Sequence, residues 1–269
     1  MSRRRAALRK AAVPFVLLAG ALVLGGCKVP TFGAFRGATT QGHDEFKLWV
    51  GLFIAGLAVA VIVWGLIFWT VAAYRRKRPD EMPRQFHSNI PLEIIYTVIP
   101  VVIVAVIFYF TVVTENSVDA VSRHPAERVH VLAYRWGWQF SYYNGQGRYQ
   151  GVQIRTSAEP KALAQPATSS QYPQLVLPEG QTVRIILQSA DVVHEMYVPA
   201  FNFGRYALPG VTNRWDFTTT RAGVFRGQCA EFCGLYHSEM LFSVRVVSPS
   251  TFARWLTAQQ ASQAKSGAA

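Results

Sequence analysis

Cys229-Ala-Glu-Phe-Cys233-Gly-Leu-Tyr-His237-Ser-Glu-Met240 puts two thiols, an imidazole and a thioether into twelve residues. Three residues separate Cys229 from Cys233, three more precede His237, and Met240 follows three positions on, so one tight loop can aim all four side chains at a common centre. His194, 35 residues upstream, offers a second imidazole and completes a Cys2His2Met set. Thiolate, imidazole and thioether together suit copper better than magnesium, calcium or a purely structural ion. A mononuclear blue-copper site uses one Cys, two His and a weak axial Met, so the second cysteine is surplus unless both thiolates bridge two metals. A disulfide and structural zinc are the alternatives. The disulfide leaves His194, His237 and Met240 unexplained, and zinc has no use for the thioether.

The pattern Cys-x-Glu-x-Cys-x-x-x-His-x-x-Met, with a histidine upstream, resembles the binuclear CuA site of cytochrome c oxidase subunit II. The resemblance implies that Cys229 and Cys233 bridge two coppers, that His194 and Met240 complete one ion, and that His237 and the backbone carbonyl of Glu231 complete the other. It also implies a magnesium ion shared with subunit I through the Glu231 carboxylate. Gln188 to Pro199 resembles the segment that supplies the first histidine, at the end of a strand, with Met196 a weaker competitor for the axial role. Tyr134-Arg-Trp136-Gly-Trp138-Gln-Phe140 resembles the aromatic segment over the copper centre, and Trp136 matches the position where electrons from cytochrome c enter. Core packing or a binding hot spot would use the same tryptophans. Glu93 matches a carboxylate through which protons reach subunit I, although a glutamate capping a helix start reads alike. Gly137, Gly204 and Tyr206 depart from the family pattern, which usually has an aromatic, Lys and Asp there.

Outward from the loop, short alternating or apolar runs are separated by Pro, Gly and Asn. Strands are expected over Arg128–Ala133, Gly137–Tyr143, Gln174–Leu177, Thr182–Gln188, Val192–Val198, Arg214–Thr218, Gly223–Gln228 and Leu241–Val247. Such spacing predicts a β-sandwich or barrel, and the resemblance implies a cupredoxin-like Greek-key fold. The run Thr156–Tyr172 reads as a mobile loop, and a helix over Phe252–Gln260 is expected with Ser250 as its cap.

Upstream the chain changes character. Leu48–Ala73 holds 26 residues without a charge and Ile94–Val113 holds 20, each enough to cross a hydrocarbon core that needs about 20. The cluster Arg75-Arg76-Lys77-Arg78, with Arg84, places the loop between them in the cytoplasm, and hence the C-terminal domain outside a bacterial plasma membrane. Trp49, Trp69, Tyr74 and Tyr109 suit interfacial anchoring, Trp64 suits packing against a neighbour, and Pro100 should bend the second helix or be satisfied by a partner. The first residues are basic, Ala11–Gly26 is apolar, and Leu24-Gly-Gly-Cys27 follows, which reads as a secretory signal peptide. It resembles a bacterial lipobox with Cys27 as the lipidated N-terminus. The expected organisation is a signal peptide over 1–26, an extracytoplasmic segment over 27–45, two membrane helices over 46–114 with a cytoplasmic loop over 75–92, a copper domain over 115–250, and a helix and tail over 251–269.

The formal charge of +12 does not indicate nucleic acid. From Glu115 onward there are 14 Lys+Arg against 10 Asp+Glu, with no basic stripe suited to phosphates. That weakly basic domain fits a strongly basic soluble cytochrome c poorly and favours a tethered, fused or less basic c-type donor. The resemblance implies a haem-copper oxidase of the actinobacterial lipoprotein type, with this chain accepting electrons for oxygen reduction and proton translocation in subunit I and contacting other oxidase subunits. Rival readings are a quinol oxidase subunit II, which resembles the architecture but lacks the copper ligands, nitrous oxide reductase, which lacks the two-helix anchor, and a membrane-anchored zinc or disulfide module.

Overall fold

The computed structural model describes residues 31–75, 82, 85–156 and 172–266. The expected signal peptide, Cys27, most of the basic cytoplasmic cluster and the loop 157–171 lie outside the described residues.

Two long helices come first, α1 (Thr40–Ala73) and α2 (Ile90–Val118). Both pass the length and composition test for a membrane span. With 34 and 29 residues they are about 51 and 43 Å long at 1.5 Å per residue. They exceed the uncharged runs because polar residues extend α1 at its start and α2 at both ends. Thr39 caps α1, its Oγ1 accepting the Gly42 N–H at 2.9 Å. Asn89 caps α2 by accepting the Leu92 N–H at 3.3 Å, while Glu93 Oε1 accepts the Asn89 N–H at 3.0 Å. That reciprocal pair is similar to a capping box, with the glutamate one position further along the helix. Pro100 lies inside α2, whose assignment runs on without a break. Trp64 stacks on Phe68 one turn away and is otherwise exposed.

Ten strands follow: β1 (Glu127–Tyr134), β2 (Gly137–Asn144), β3 (Tyr149–Arg155), β4 (Gln174–Pro178), β5 (Thr182–Ser189), β6 (His194–Val198), β7 (Phe203–Ala207), β8 (Asn213–Thr218), β9 (Gly223–Cys229) and β10 (Leu241–Val247). They form two five-stranded sheets, ordered β3-β2-β1-β5-β8 and β4-β10-β9-β6-β7. The β1–β5 and β4–β10 pairs are parallel. Alternation drives burial: Val129, Val131 and Ala133 on β1, Val183, Ile185 and Leu187 on β5, and Phe242, Val244 and Val246 on β10 all point inward. Tyr142 ties the two sheets together, its hydroxyl accepting the Val176 N–H at 2.8 Å and donating to the Val176 carbonyl at 3.2 Å. The result is a cupredoxin-like β-sandwich behind a two-helix anchor.

All eight expected strands form, with ends shifted by at most two residues; β6 begins at His194 rather than Val192. β3 and β7 were not foreseen. Each contains a glycine, and each buries one side chain, Val152 or Ala207, so neither shows an apolar alternation. The final helix, α3 (Pro249–Ser266), is longer than the expected Phe252–Gln260. Its cap is Ser248, whose Oγ accepts the Thr251 N–H at 3.3 Å, rather than Ser250. Gln263 extends from α3 to the edge strand, where its amide pairs with both the N–H and the carbonyl of Gln153 at 3.0 and 2.9 Å.

The anchor joins the sandwich through direct backbone contacts. The Ala38 N–H donates to the Ala200 carbonyl at 2.8 Å, and the Ala38 carbonyl accepts the Thr220 N–H at 2.9 Å. Gly42 lies so close to Phe201 that an added Cβ would sit 2.1 Å from its carbonyl oxygen. At the other helix, Asp119 pairs with Arg205 at 2.5 Å. Asp216 accepts from Arg184 at 2.7 Å and from the Ser122 N–H at 2.7 Å, fixing the segment that leads from α2 into β1.

Candidate metal centre

One end of the sandwich carries the Cys229–Met240 loop. β9 ends at Cys229 and β10 starts at Leu241, so the loop is a long hairpin connection closed at its base by the Cys229 N–H on the Met240 carbonyl at 3.0 Å. Gly234 turns the chain with φ at +113°, a conformation that favours glycine. A short 3-10 turn, His237–Glu239, then delivers His237 and Met240. His194 enters from the first residue of β6, next to β9.

The expected ligands converge. The two sulfurs of Cys229 and Cys233 are 3.9 Å apart. The Nδ1 of His194 lies 3.8 Å from Cys229 Sγ, and that of His237 lies 3.6 Å from Cys233 Sγ. Met240 Sδ stands 3.8 Å from Cys233 Sγ, and the Glu231 carbonyl is 3.2 Å from Cys229 Sγ. Both cysteines are free thiols. His194, Cys229, Cys233 and Met240 are all buried, with His194 fully so, while His237 is half-buried against the exposed Phe232. Met196 is the ladder partner of Cys229 and lines a core cavity with Leu175, Val198 and Phe201, whereas Met240 faces Cys233 Sγ with its sulfur.

The chemistry of these donors fits a soft, positively charged guest. Burial, and then the neighbouring Cys229 sulfur, push the Cys233 thiol up to about 12, so a thiolate here calls for a cation beside it. Asp191 is the group that sequence reasoning missed. One of its oxygens contacts His194 Nε2 at 2.8 Å, turning Nδ1 toward the sulfurs. Burial raises the Asp191 carboxyl, but hydrogen bonds from His194 and the Arg135 and Val192 N–H groups prevail and hold it below the ordinary range. Its only sequence signal was an Asp three residues before the histidine.

Trp136 sits on the loop itself. Its Nε1–H donates to the Cys233 carbonyl at 3.1 Å, its ring lies edge-on to Tyr236 at 5.0 Å, and Gly234 leaves just enough space beneath it. The adjacent Trp138 is fully buried and donates to the Met240 carbonyl at 3.3 Å. Glu231 stands at the loop surface and, after burial, is the second cause that raises the nearby Glu195 carboxyl. Glu93 is not brought to the cluster; it closes the cap at the far end of α2.

A two-helix membrane anchor that carries a cupredoxin-like sandwich, with a thiolate–imidazole–thioether cluster in one end loop, defines a membrane-bound subunit of the respiratory oxidase class. The family model for the periplasmic domain of cytochrome c oxidase subunit II matches residues 128–247, and the model for its transmembrane domain matches residues 35–112. The chain is 35% identical to cytochrome c oxidase subunit 2 of Mycobacterium tuberculosis, over 93% of this chain and 81% of that one. It is 37% identical to the probable subunit 2 of Nocardia farcinica, over 94% and 82%. Among solved structures, the periplasmic domain of subunit II of cytochrome oxidase from Bradyrhizobium japonicum aligns at 25% identity and a TM-score of 0.43, covering 51% of this chain and 96% of that domain. The chain belongs to the cytochrome c oxidase subunit II family and is a subunit of a haem-copper oxidase.

Proposed function

We propose that the chain takes electrons from a c-type cytochrome near Trp136 and hands them, through the side bearing His237, to haem in subunit I, where oxygen is reduced and protons are translocated. The observation that carries this reading is the pair of sulfurs 3.9 Å apart, each with one imidazole Nδ1 facing it. When bound there, a copper pair would supply a one-electron store shared between two ions, with little to rearrange on reduction. Cys229 and Cys233 would bridge the ions, His194 and His237 would each hold one, and Met240 and the Glu231 carbonyl would be the weak ligands. Burial of the sulfurs and of His194 keeps water from the ligands, and Trp136 gives the loop a ring in direct hydrogen-bond contact with Cys233.

The same reading extends to the surroundings. The signal peptide and a lipid thioether at Cys27 would add to the anchor; the domain ranges expected above would carry over with shifted edges, α1 starting at Thr40, α2 running Ile90–Val118 and α3 starting at Pro249. The Glu231 carboxylate would face a magnesium ion shared with subunit I, Glu93 would lie where protons enter, and the donor would be cytochrome c or a tethered or fused c-type cytochrome. The test is copper content and an EPR spectrum of the full chain purified in detergent and loaded under oxidising conditions. Two coppers per chain with one electron shared between equivalent nuclei are expected. A single-nucleus pattern, or zinc in place of copper, refutes the binuclear assignment.

A further inference from the structure

We infer that Asp191 is a positioning residue that fixes the tautomer of His194 and links this ligand to the turn bearing Trp136. The inference deepens the copper reading and rests on it for the reduction potential alone. Asp191 is in the turn between β5 and β6. Its Oδ1 contacts His194 Nε2 at 2.8 Å and accepts the Val192 N–H at 2.7 Å. Its Oδ2 accepts the Arg135 N–H at 2.7 Å and the Arg135 Nε–H at 3.4 Å. Arg135 immediately precedes Trp136, so one carboxylate joins a fully buried imidazole to the backbone one residue before the side chain in contact with the Cys233 carbonyl.

Only an ionised carboxylate serves all of these partners, because it accepts at both oxygens and donates at neither. It obliges His194 Nε2 to carry the proton, which leaves the Nδ1 lone pair for the metal; carboxylate partners of metal-binding histidines act in this way. The turn is itself pinned. The Ala190 N–H donates to the Ala133 carbonyl at 2.9 Å, the Asp191 N–H donates to Ser189 Oγ at 3.2 Å, and Ser189 Oγ donates to the Val192 carbonyl. Asparagine at 191 has one acceptor. If its oxygen faces His194, its amide opposes the Arg135 N–H and frees the Trp136 turn; if it rotates, the amide opposes His194 Nε2–H and favours the tautomer with the proton on Nδ1.

The test uses the full chain in detergent. In the metal-free protein, nitrogen NMR of 15N-histidine is expected to show His194 of the wild type with its proton on Nε2, a mixture of tautomers in Asp191→Asn, and the wild-type form again in Asp191→Glu. In the copper-loaded protein, Asp191→Asn is expected to raise the midpoint potential, since the negative charge that favours the oxidised centre is gone. A wild-type His194 with its proton on Nδ1 overturns the inference whatever the variants do. An Asp191→Asn protein that keeps both the tautomer and the potential of the wild type overturns it as well. Failure of the wild type to bind copper refutes the copper reading alone, and the metal-free spectra then still decide the role of Asp191.

Discussion

The indole Nε1–H of Trp138 donates to the carbonyl of Met240 across the buried core, at 3.3 Å. Trp138 lies on one sheet and Met240 at the start of the opposite strand, so this bond holds the last ligand of the loop against the sandwich interior. The same carbonyl accepts the Cys229 N–H, and the first and last ligands are thereby fixed to one oxygen. Trp138→Phe keeps an aromatic ring but removes part of the buried indole together with its N–H, leaving that side of the carbonyl without its partner. A loss of about 1–3 kcal/mol is expected, read as a lower thermal midpoint together with faster copper release to a chelator.

Cys233 faces Cys229, His237 and Met240 within 3.9 Å, and so stands between the other sulfur, an imidazole and the thioether. Cys233→Ser replaces a soft bridging sulfur by a hard oxygen, so the shared-copper EPR signal should vanish. An absorption spectrum identical to that of the wild type would rule out bridging by this residue.

Gly234 combines a positive φ with a ring 3.3 Å from where a Cβ would stand. Gly234→Ala should therefore cost about 1–3 kcal/mol in backbone strain and push Trp136 off the loop. Slower reduction by a c-type cytochrome at unchanged copper content is the expected kinetic result, measured by stopped-flow on the assembled oxidase.

Burial raises the Tyr142 hydroxyl above its ordinary value of 10, partly offset by its bond to Val176. The folded state thus prefers the neutral phenol. Its contribution is complete below pH 10 and is lost as the pH climbs above that value. Tyr142→Phe should lower stability at neutral pH by about 1–3 kcal/mol, because the Val176 N–H loses its partner. It should also flatten the alkaline fall in thermal midpoint between the two proteins.

The loop was legible because its four soft or imidazole donor side chains differ chemically from everything around them, and the spacing of Cys229, Cys233, His237 and Met240 matches the hairpin that forms. Both membrane helices were legible from their uncharged runs, though not their polar first turns, where Thr39 and Asn89 act through local hydrogen bonds. β3 and β7 escaped because they are edge strands with a single buried residue each. Asp191 escaped for another reason: a carboxylate that orients a ligand carries no spacing rule, and only the three-dimensional contact with His194 reveals it.

The backbone bonds from Ala38 to Ala200 and Thr220, and the absence of room for any side chain at Gly42, tie the start of α1 directly to the sandwich. Under the proposed function, the Cys229–Met240 loop would then stand at a set height above the lipid, and the tunnelling gap to an acceptor inside the bilayer would be a dimension built into the molecule. In that function a donor would have to come to the loop, because the end that receives the electron would not swing out to meet it.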